Sequence, residues 1–140
     1  MITKTGSAHW QGALKDGKGT VSTGSGALTD QPYGFATRFE DKPGTNPEEL
    51  IGAAHASCFS MALSKALGDA GITGVDIRST STITLDRDGG GFSITKAHLA
   101  TEISGDGDAD RIRALAEEAK AGCPVSRVLN AEITLQVTVA

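Results

Sequence analysis

A single α+β domain over residues 1–140, in the order βββ-α-ββ-α-β, is predicted by three features of the chain. A long apolar helical segment opens on a strong start signal at Asn46-Pro47. Two long alternating segments flank a turn at 86–90, and an amphipathic helix precedes a last alternating run. The length suits one domain with one core. Glycine, at 18 of 140 residues, runs at about twice its usual share and favours turns and β structure.

The elements follow in order. Residues 8–11, 19–23 and 33–39 read as short strands punctuated by glycine, with a turn over 24–30. Asn46 is a good N-cap, Pro47 suits the first helical position, and Glu48 and Glu49 sit in the first turn, Glu49 placed for a capping box. The helix continues to about residue 67 and stops near 68–71. It is apolar or small over most of its circumference, which predicts a buried, central helix. Segments 75–86 and 91–103 alternate as strands; Asp86-Arg87-Asp88-Gly89-Gly90 joins them as a hairpin, and a parity change near Lys96 marks a bulge. Residues 108–121 place Ile112, Leu115, Ala116 and Ala119 on one helical face, and Gly122 can supply a left-handed C′ residue. A short helical turn over 124–129 and a strand carrying Ile133, Leu135, Val137 and Val139 complete the chain. With six aromatic residues, the core rests on Ala, Val, Ile and Leu.

Composition narrows the function. Thirteen basic residues against 17 acidic give a net charge of −4, with both signs scattered, which argues against a nucleic-acid or anionic-membrane binder. No uninterrupted apolar run approaches the roughly 20 residues of a membrane helix, and the start MITKTGSAHWQG lacks the apolar region of a secretory signal. The expected compartment is therefore cytoplasmic and reducing, where a lone cysteine pair is reactive, ligating or merely buried.

The chemistry-bearing residues each admit two readings. Cys58 lies about three turns into the apolar helix, where burial raises a thiol pKa and the helix dipole has faded, so it is either an inert small hydrophobe or a nucleophile served by a cation from elsewhere. Cys123, between Gly122 and Pro124, is either a loop cysteine of no consequence or the exposed N-cap of the 124–129 turn with a lowered pKa. Arg38 is either a solvated strand arginine or the missing cation, dried by Phe35 and Phe39. Glu48 is either a helix-dipole acid or the bidentate holder of a guanidinium. His55, one turn before Cys58, is a base or, the better reading, a polar lining and packing residue. His9, His55 and His98 have no zinc-motif spacing to the cysteines, so no metal site is expected.

The segment GTNPEELIGAAHASCFSMALS at 44–64 resembles the signature of the OsmC/Ohr family of thiol-dependent hydroperoxide peroxidases. The likeness extends through His9-Trp10, GKGTVST at 17–23, residues 31–40 and KAGCPVS at 120–126, essentially the whole chain, and is greater toward the OsmC branch (osmotically inducible protein C). The resemblance implies an OsmC-like fold, with sheets wrapped around the central helix in an intertwined homodimer. It implies that Cys58 is the peroxidatic cysteine, Cys123 the resolving one, Arg38 the activating arginine and Glu48 its partner. The implied reaction reduces organic hydroperoxides, and hydrogen peroxide more weakly, through a Cys58 sulfenic acid and a Cys58–Cys123 disulfide. A dithiol such as a lipoyl group on a carrier protein then restores the thiols, without metal, haem or flavin. Glu48 and Cys58 lie about 15 Å apart along a regular helix, so Arg38 is expected to reach Cys58 across the dimer interface. The alternatives on the same fold are a non-enzymatic small-molecule-binding stress protein and a redox sensor.

Overall fold

The computed structural model describes residues 1–140 and divides into units of residues 1–50 and 51–140. In the first, strands β1 (Gly6–Gln11), β2 (Lys18–Thr23) and β3 (Gln31–Tyr33) form an antiparallel sheet in that order. Trp10 pairs with Gly19 and Gly19 with Tyr33, so the bare glycine lets the Trp10 and Tyr33 rings meet with centroids 5.5 Å apart.

The strand expected over 33–39 ends at Tyr33, and Phe35–Phe39 is a short helix, α1. The alternation of Phe35, Thr37 and Phe39 concealed a second period: Phe35 and Phe39 are four apart, so one helical turn stacks their rings at 5.0 Å. The Thr37 hydroxyl closes that turn by accepting from the Gly34 N–H at 2.8 Å and donating to the Gly34 carbonyl at 3.0 Å.

Helix α2 (Pro47–Asp69) starts as its sequence predicts: the Glu49 N–H donates to Asn46 Oδ1 at 2.8 Å, and Asn46 Nδ2 donates to the Thr37 carbonyl at 3.2 Å. Its end is set by Gly71 at φ +78° with the Ile72 N–H returning to the Leu67 carbonyl. The expectation of burial nearly all round is corrected. Gly52, His55, Phe59, Leu63 and Leu67 form the buried stripe, while Met61 is 76% exposed. Small side chains dominate the other faces, and within one chain they bring too little apolar area to recruit a covering layer. By length and overall composition α2 could also cross a membrane, although its apolar run is interrupted by His55, Ser57, Ser60, Ser64 and Lys65, as expected of a chain without an uninterrupted apolar stretch of that size. Alanine supplies much of its apolar count, and its buried Phe59, Leu63 and Leu67 pack into the protein's own core.

In the second unit β4 (Asp76–Asp88) and β5 (Gly91–Ser104) pair antiparallel, and β6 (Glu132–Val139) adds parallel to β5. Gly89 and Gly90 make the hairpin turn at φ +56° and +92°, the sign such a two-residue turn demands. The register steps from Thr84–Lys96 to Leu85–Ile94, so Thr95 is the extra residue, beside the bulge expected near Lys96. Ala97, Leu99, Thr101 and Ile103 face the core.

Helix α3 (Ala109–Gly122) is capped by Asp108, which accepts from the Arg111 N–H, and buries Ile112, Ala116 and Ala119. Gly122 stays within the helix rather than turning left-handed. The residue before a proline avoids the helical region, so Cys123 takes φ −63°, ψ 130° and both ends α3 and opens α4 (Pro124–Val128). Phe59, Leu63, Leu67, Leu99, Ile103, Ile112, Ala116 and Cys123 form the core of this unit.

Gly52 is where α2 touches β4 most closely: a Cβ there would stand 2.7 Å from the Ser81 carbonyl oxygen. On an open helix Gly→Ala gains about 1 kcal/mol. Here the obstacle is backbone that cannot step aside, so Gly52→Ala is expected to destabilise by about 1–3 kcal/mol. Urea unfolding measures it, and a raised midpoint would refute the close packing.

Candidate active site

Helix α2 and the α3–α4 junction bring the two cysteines together. Cys58 is half-buried, Cys123 is fully buried, and both are free thiols within hydrogen-bonding reach of one another. Cys123 is the N-cap of α4, as its place before Pro124 predicts, and its sulfur accepts from the Ser126 N–H at 3.4 Å. The expectation that this position exposes it is corrected. The bend at Cys123 turns the side chain inward, into the core cluster that also holds Phe59, Ile112 and Ala119.

The two thiols titrate as a pair and in opposite directions. Burial pushes Cys58 up, the Val125 N–H draws it down, and Cys123 raises it further; the net is upward. At Cys123 burial again pushes up, but the Ser126 hydroxyl, the Ser126 N–H, Cys58 and the Val125 N–H all favour the thiolate, and the net is downward. Cys58 on its own is a raised thiol, which is what its depth in the helix predicts.

One turn before Cys58 on α2 lies His55, fully buried. Its Nδ1 is 2.7 Å from Ser81 Oγ on β4 and its Nε2 is 2.8 Å from Ser126 Oγ on α4. Sequence reasoning placed His55 as a polar packing residue and missed both serines, which lie 26 and 71 positions away. For Ser126 one local signal existed: a serine three residues after an N-cap sends its N–H back to the cap.

Burial lowers the His55 pKa, because the imidazolium would lose its hydration. The unfolded chain therefore binds a proton that the folded chain refuses, between the lowered value and about 6.5. This contribution to stability is complete above about pH 6.5 and is lost as the pH falls through the interval below it. Urea midpoints at about pH 7.5 and 5.5 should differ more for the unaltered chain than for His55→Gln, which has no such proton to bind. Equal differences would refute it.

In the first unit Arg38 on α1 meets Glu48 in the first turn of α2. Arg38 Nε donates to Oε1 and Oε2 at 3.1 and 3.3 Å, and Nη2 donates to Oε1 at 2.8 Å. This is the side-on fork expected of a carboxylate holding a guanidinium, and it engages Nε and Nη2 while leaving Nη1 available. The Arg38 guanidinium lies 5.3 Å from the Phe39 ring centre. Trp10, Leu14, Tyr33, Phe35 and Phe39 line with it a cavity of about 130 Å³. Phe35 and Phe39 were foreseen as drying residues; Trp10, Leu14 and Tyr33 were not. No group of three or more His, Cys, Asp or Glu side chains is placed to hold a metal ion.

The chain is similar to known proteins along nearly its whole length. The model of the family described as "OsmC-like protein" matches residues 39–138. The chain is 60% identical over 135 residues to "Peroxiredoxin OsmC" of Escherichia coli K12, covering 96% of this chain and 94% of the relative. The same figures hold for the protein of that name from Shigella flexneri. Among solved structures, an organic hydroperoxide resistance protein OsmC from Legionella pneumophila shares 27% identity at a TM-score of 0.72, covering 99% of this chain and 98% of that one. OhrB of Bacillus subtilis, at 22% identity, TM-score 0.70 and 96% and 98% coverage, shares the fold.

Proposed function

The chain belongs to the OsmC-like protein family, and on that premise we propose that Cys58 and Cys123 are the reacting pair of a peroxidase cycle. The protein is a thiol-dependent peroxidase, an antioxidant oxidoreductase whose substrates are organic hydroperoxides. The observation that carries the reading of the pair is their adjacency: two free thiols in hydrogen-bonding reach, contributed by different elements.

In this cycle the Cys58 thiolate attacks the distal peroxide oxygen. The O–O bond breaks, the alcohol departs with a proton, and Cys58 is left as sulfenic acid. Cys123 then displaces the hydroxyl group, forming the Cys58–Cys123 disulfide and releasing water. A dithiol of the lipoyl kind reduces the disulfide by exchange. Because burial and Cys123 both push the Cys58 thiol up, the cycle needs a cation, and this role is assigned to Arg38. Glu48 holds the guanidinium by Nε and Nη2, so Nη1 can serve the reacting atoms. The apolar cavity beside Arg38 suits the alkyl part of an organic hydroperoxide.

The reading includes a cytoplasmic homodimer in which Arg38 serves Cys58 of the partner chain. Supporting a second copy, α2 leaves Ala53, Ser57 and Met61, at four-residue spacing, exposed on one face.

One equivalent of cumene hydroperoxide, with free thiols counted before and after, tests the reading. Loss of two thiols, with mass analysis joining Cys58 to Cys123, is expected. No fast loss would leave a binding protein on this fold.

A further inference from the structure

The buried chain Ser81–His55–Ser126 is not used by the cycle above, and it ends on the sulfur that the cycle needs second. His55 sits on α2 three residues before Cys58 and is fully buried. It bridges Ser81 of β4 at 2.7 Å and Ser126 of α4 at 2.8 Å. Ser126 in turn donates its N–H to Cys123 at 3.4 Å, and its hydroxyl also acts on that sulfur.

Ser126 has one hydroxyl hydrogen, and its neighbours decide where it goes. If Nε2 is bare, the hydrogen goes to His55 and the sulfur faces only oxygen lone pairs. If Nε2 carries the proton, Ser126 Oγ accepts from it and its own hydrogen is free for the sulfur. Ser81 Oγ, 2.7 Å from His55 Nδ1, is placed to make the choice: a hydroxyl that donates there leaves the ring proton on Nε2. A charged imidazole would have to donate to both serines and would reverse the Ser81 bond. Burial disfavours that charged form.

We propose that His55, as the Nε2–H tautomer fixed by Ser81, is a positioning residue for the resolving step, turning the Ser126 hydroxyl so that its hydrogen lies on Cys123 Sγ. The proposal rests on the reading of Cys58 as peroxidatic and Cys123 as resolving. In the step it serves, the Cys123 proton has passed to water and the thiolate is held by the Ser126 N–H and O–H. Cys123 Sγ bonds to Cys58 Sγ, the Cys58 S–O bond breaks, and the departing hydroxide takes up the proton that Cys123 released, leaving as water. The net change is one sulfenic acid and one thiol to one disulfide and one water. The groups that face Cys123 and bear on its pH dependence are Cys58 and the Val125 N–H, with Ser126 and, through it, His55.

Single-turnover oxidation in a stopped-flow instrument separates the two events. The fast phase is Cys58 oxidation; the slow phase is disulfide formation, with trapping of sulfenic acid by dimedone reporting the interval between them. Ser126→Ala and His55→Leu are expected to slow the second phase about tenfold, to increase dimedone trapping and to move the pH midpoint of that phase upward by about one unit. Ser126→Thr, which keeps the hydroxyl, and His55→Gln, which keeps an N–H donor, are expected to recover most of the rate. A merely structural role would not move that midpoint. If His55→Leu fails to fold, Ser126→Ala and Ser81→Ala decide the matter. A second phase within twofold of the unaltered rate, at an unmoved midpoint, in the folded variants overturns the proposal. Absence of the fast phase in the unaltered protein would instead overturn the peroxidatic reading of Cys58.

Discussion

Cys58→Ser is expected to lower hydroperoxide turnover by about a thousandfold or more, since removing the nucleophile of a covalent cycle leaves nothing downstream to rescue it. The exchange is nearly isosteric at a half-buried position, so the folded content by circular dichroism should be unchanged. The informative contrast is Cys123→Ser. There the first oxidation should persist, no disulfide should form, and repeated exposure should drive Cys58 onward to sulfinic acid. Single-turnover kinetics followed by intact mass will show the two patterns. If Cys123→Ser removed the first oxidation while Cys58→Ser kept it, the roles would have to be exchanged, an outcome made worth testing by the lower thiol pKa of Cys123.

The second large effect is expected at Arg38. Losing a preorganised donor to developing charge costs about a hundredfold or more in rate, and Arg38→Ala should show a loss of that size. It should also move the alkaline rise of the rate to higher pH. Cys58 is a raised thiol whose reactive form grows as the pH climbs through its pKa; with its cation removed, that rise comes later still. Arg38→Lys should recover little, because one ammonium cannot fork onto Glu48 through two nitrogens and also present a third donor. Hybrid dimers of a Cys58→Ser chain with an Arg38→Ala chain locate the partner. If Arg38 serves the other chain's cysteine, one site holds both lesions and the other is intact, so about half of the dimer's activity returns. No recovered activity would place arginine and cysteine in the same chain. An unchanged rate and pH profile in Arg38→Ala would remove Arg38 from the reaction.

How far the sequence could be read depended on the range of the interactions involved. The start of α2 was legible because Asn46, Pro47 and the two glutamates act within one turn. The β4–β5 hairpin was legible because Gly89 and Gly90 fix a turn that needs positive φ, and the bulge showed in the parity of residues 92–99. Helix α1 was not, because a five-residue segment with Phe35, Thr37 and Phe39 satisfies both periods, and the Thr37–Gly34 hydrogen bonds decide between them. The end of α3 was misplaced because a proline two residues beyond a glycine overrode the glycine. At the site, the motif around Cys58 and the cysteine before Pro124 singled out the residues, but their adjacency is tertiary. The links from His55 to Ser81 and Ser126 carry no sequence signature at all, and neither does the wall that Trp10, Leu14 and Tyr33 make beside Arg38.

The place of the two thiols also has a polymer-physical consequence. Cys58 and Cys123 are 65 positions apart, and the chain between them carries the β4–β5 hairpin and α3. In the proposed cycle their bond would close a loop of that size in the unfolded ensemble, a restriction that chain-entropy arithmetic values at about 4 kcal/mol. Each turnover would then alter not only two sulfur atoms but the number of conformations open to nearly half of the molecule when it unfolds. The protein would be most susceptible to unfolding and proteolysis while reduced and ready for peroxide, and most resistant just after consuming it. Its lifetime in a cell would thus depend on how quickly the reductant returns it to the open form.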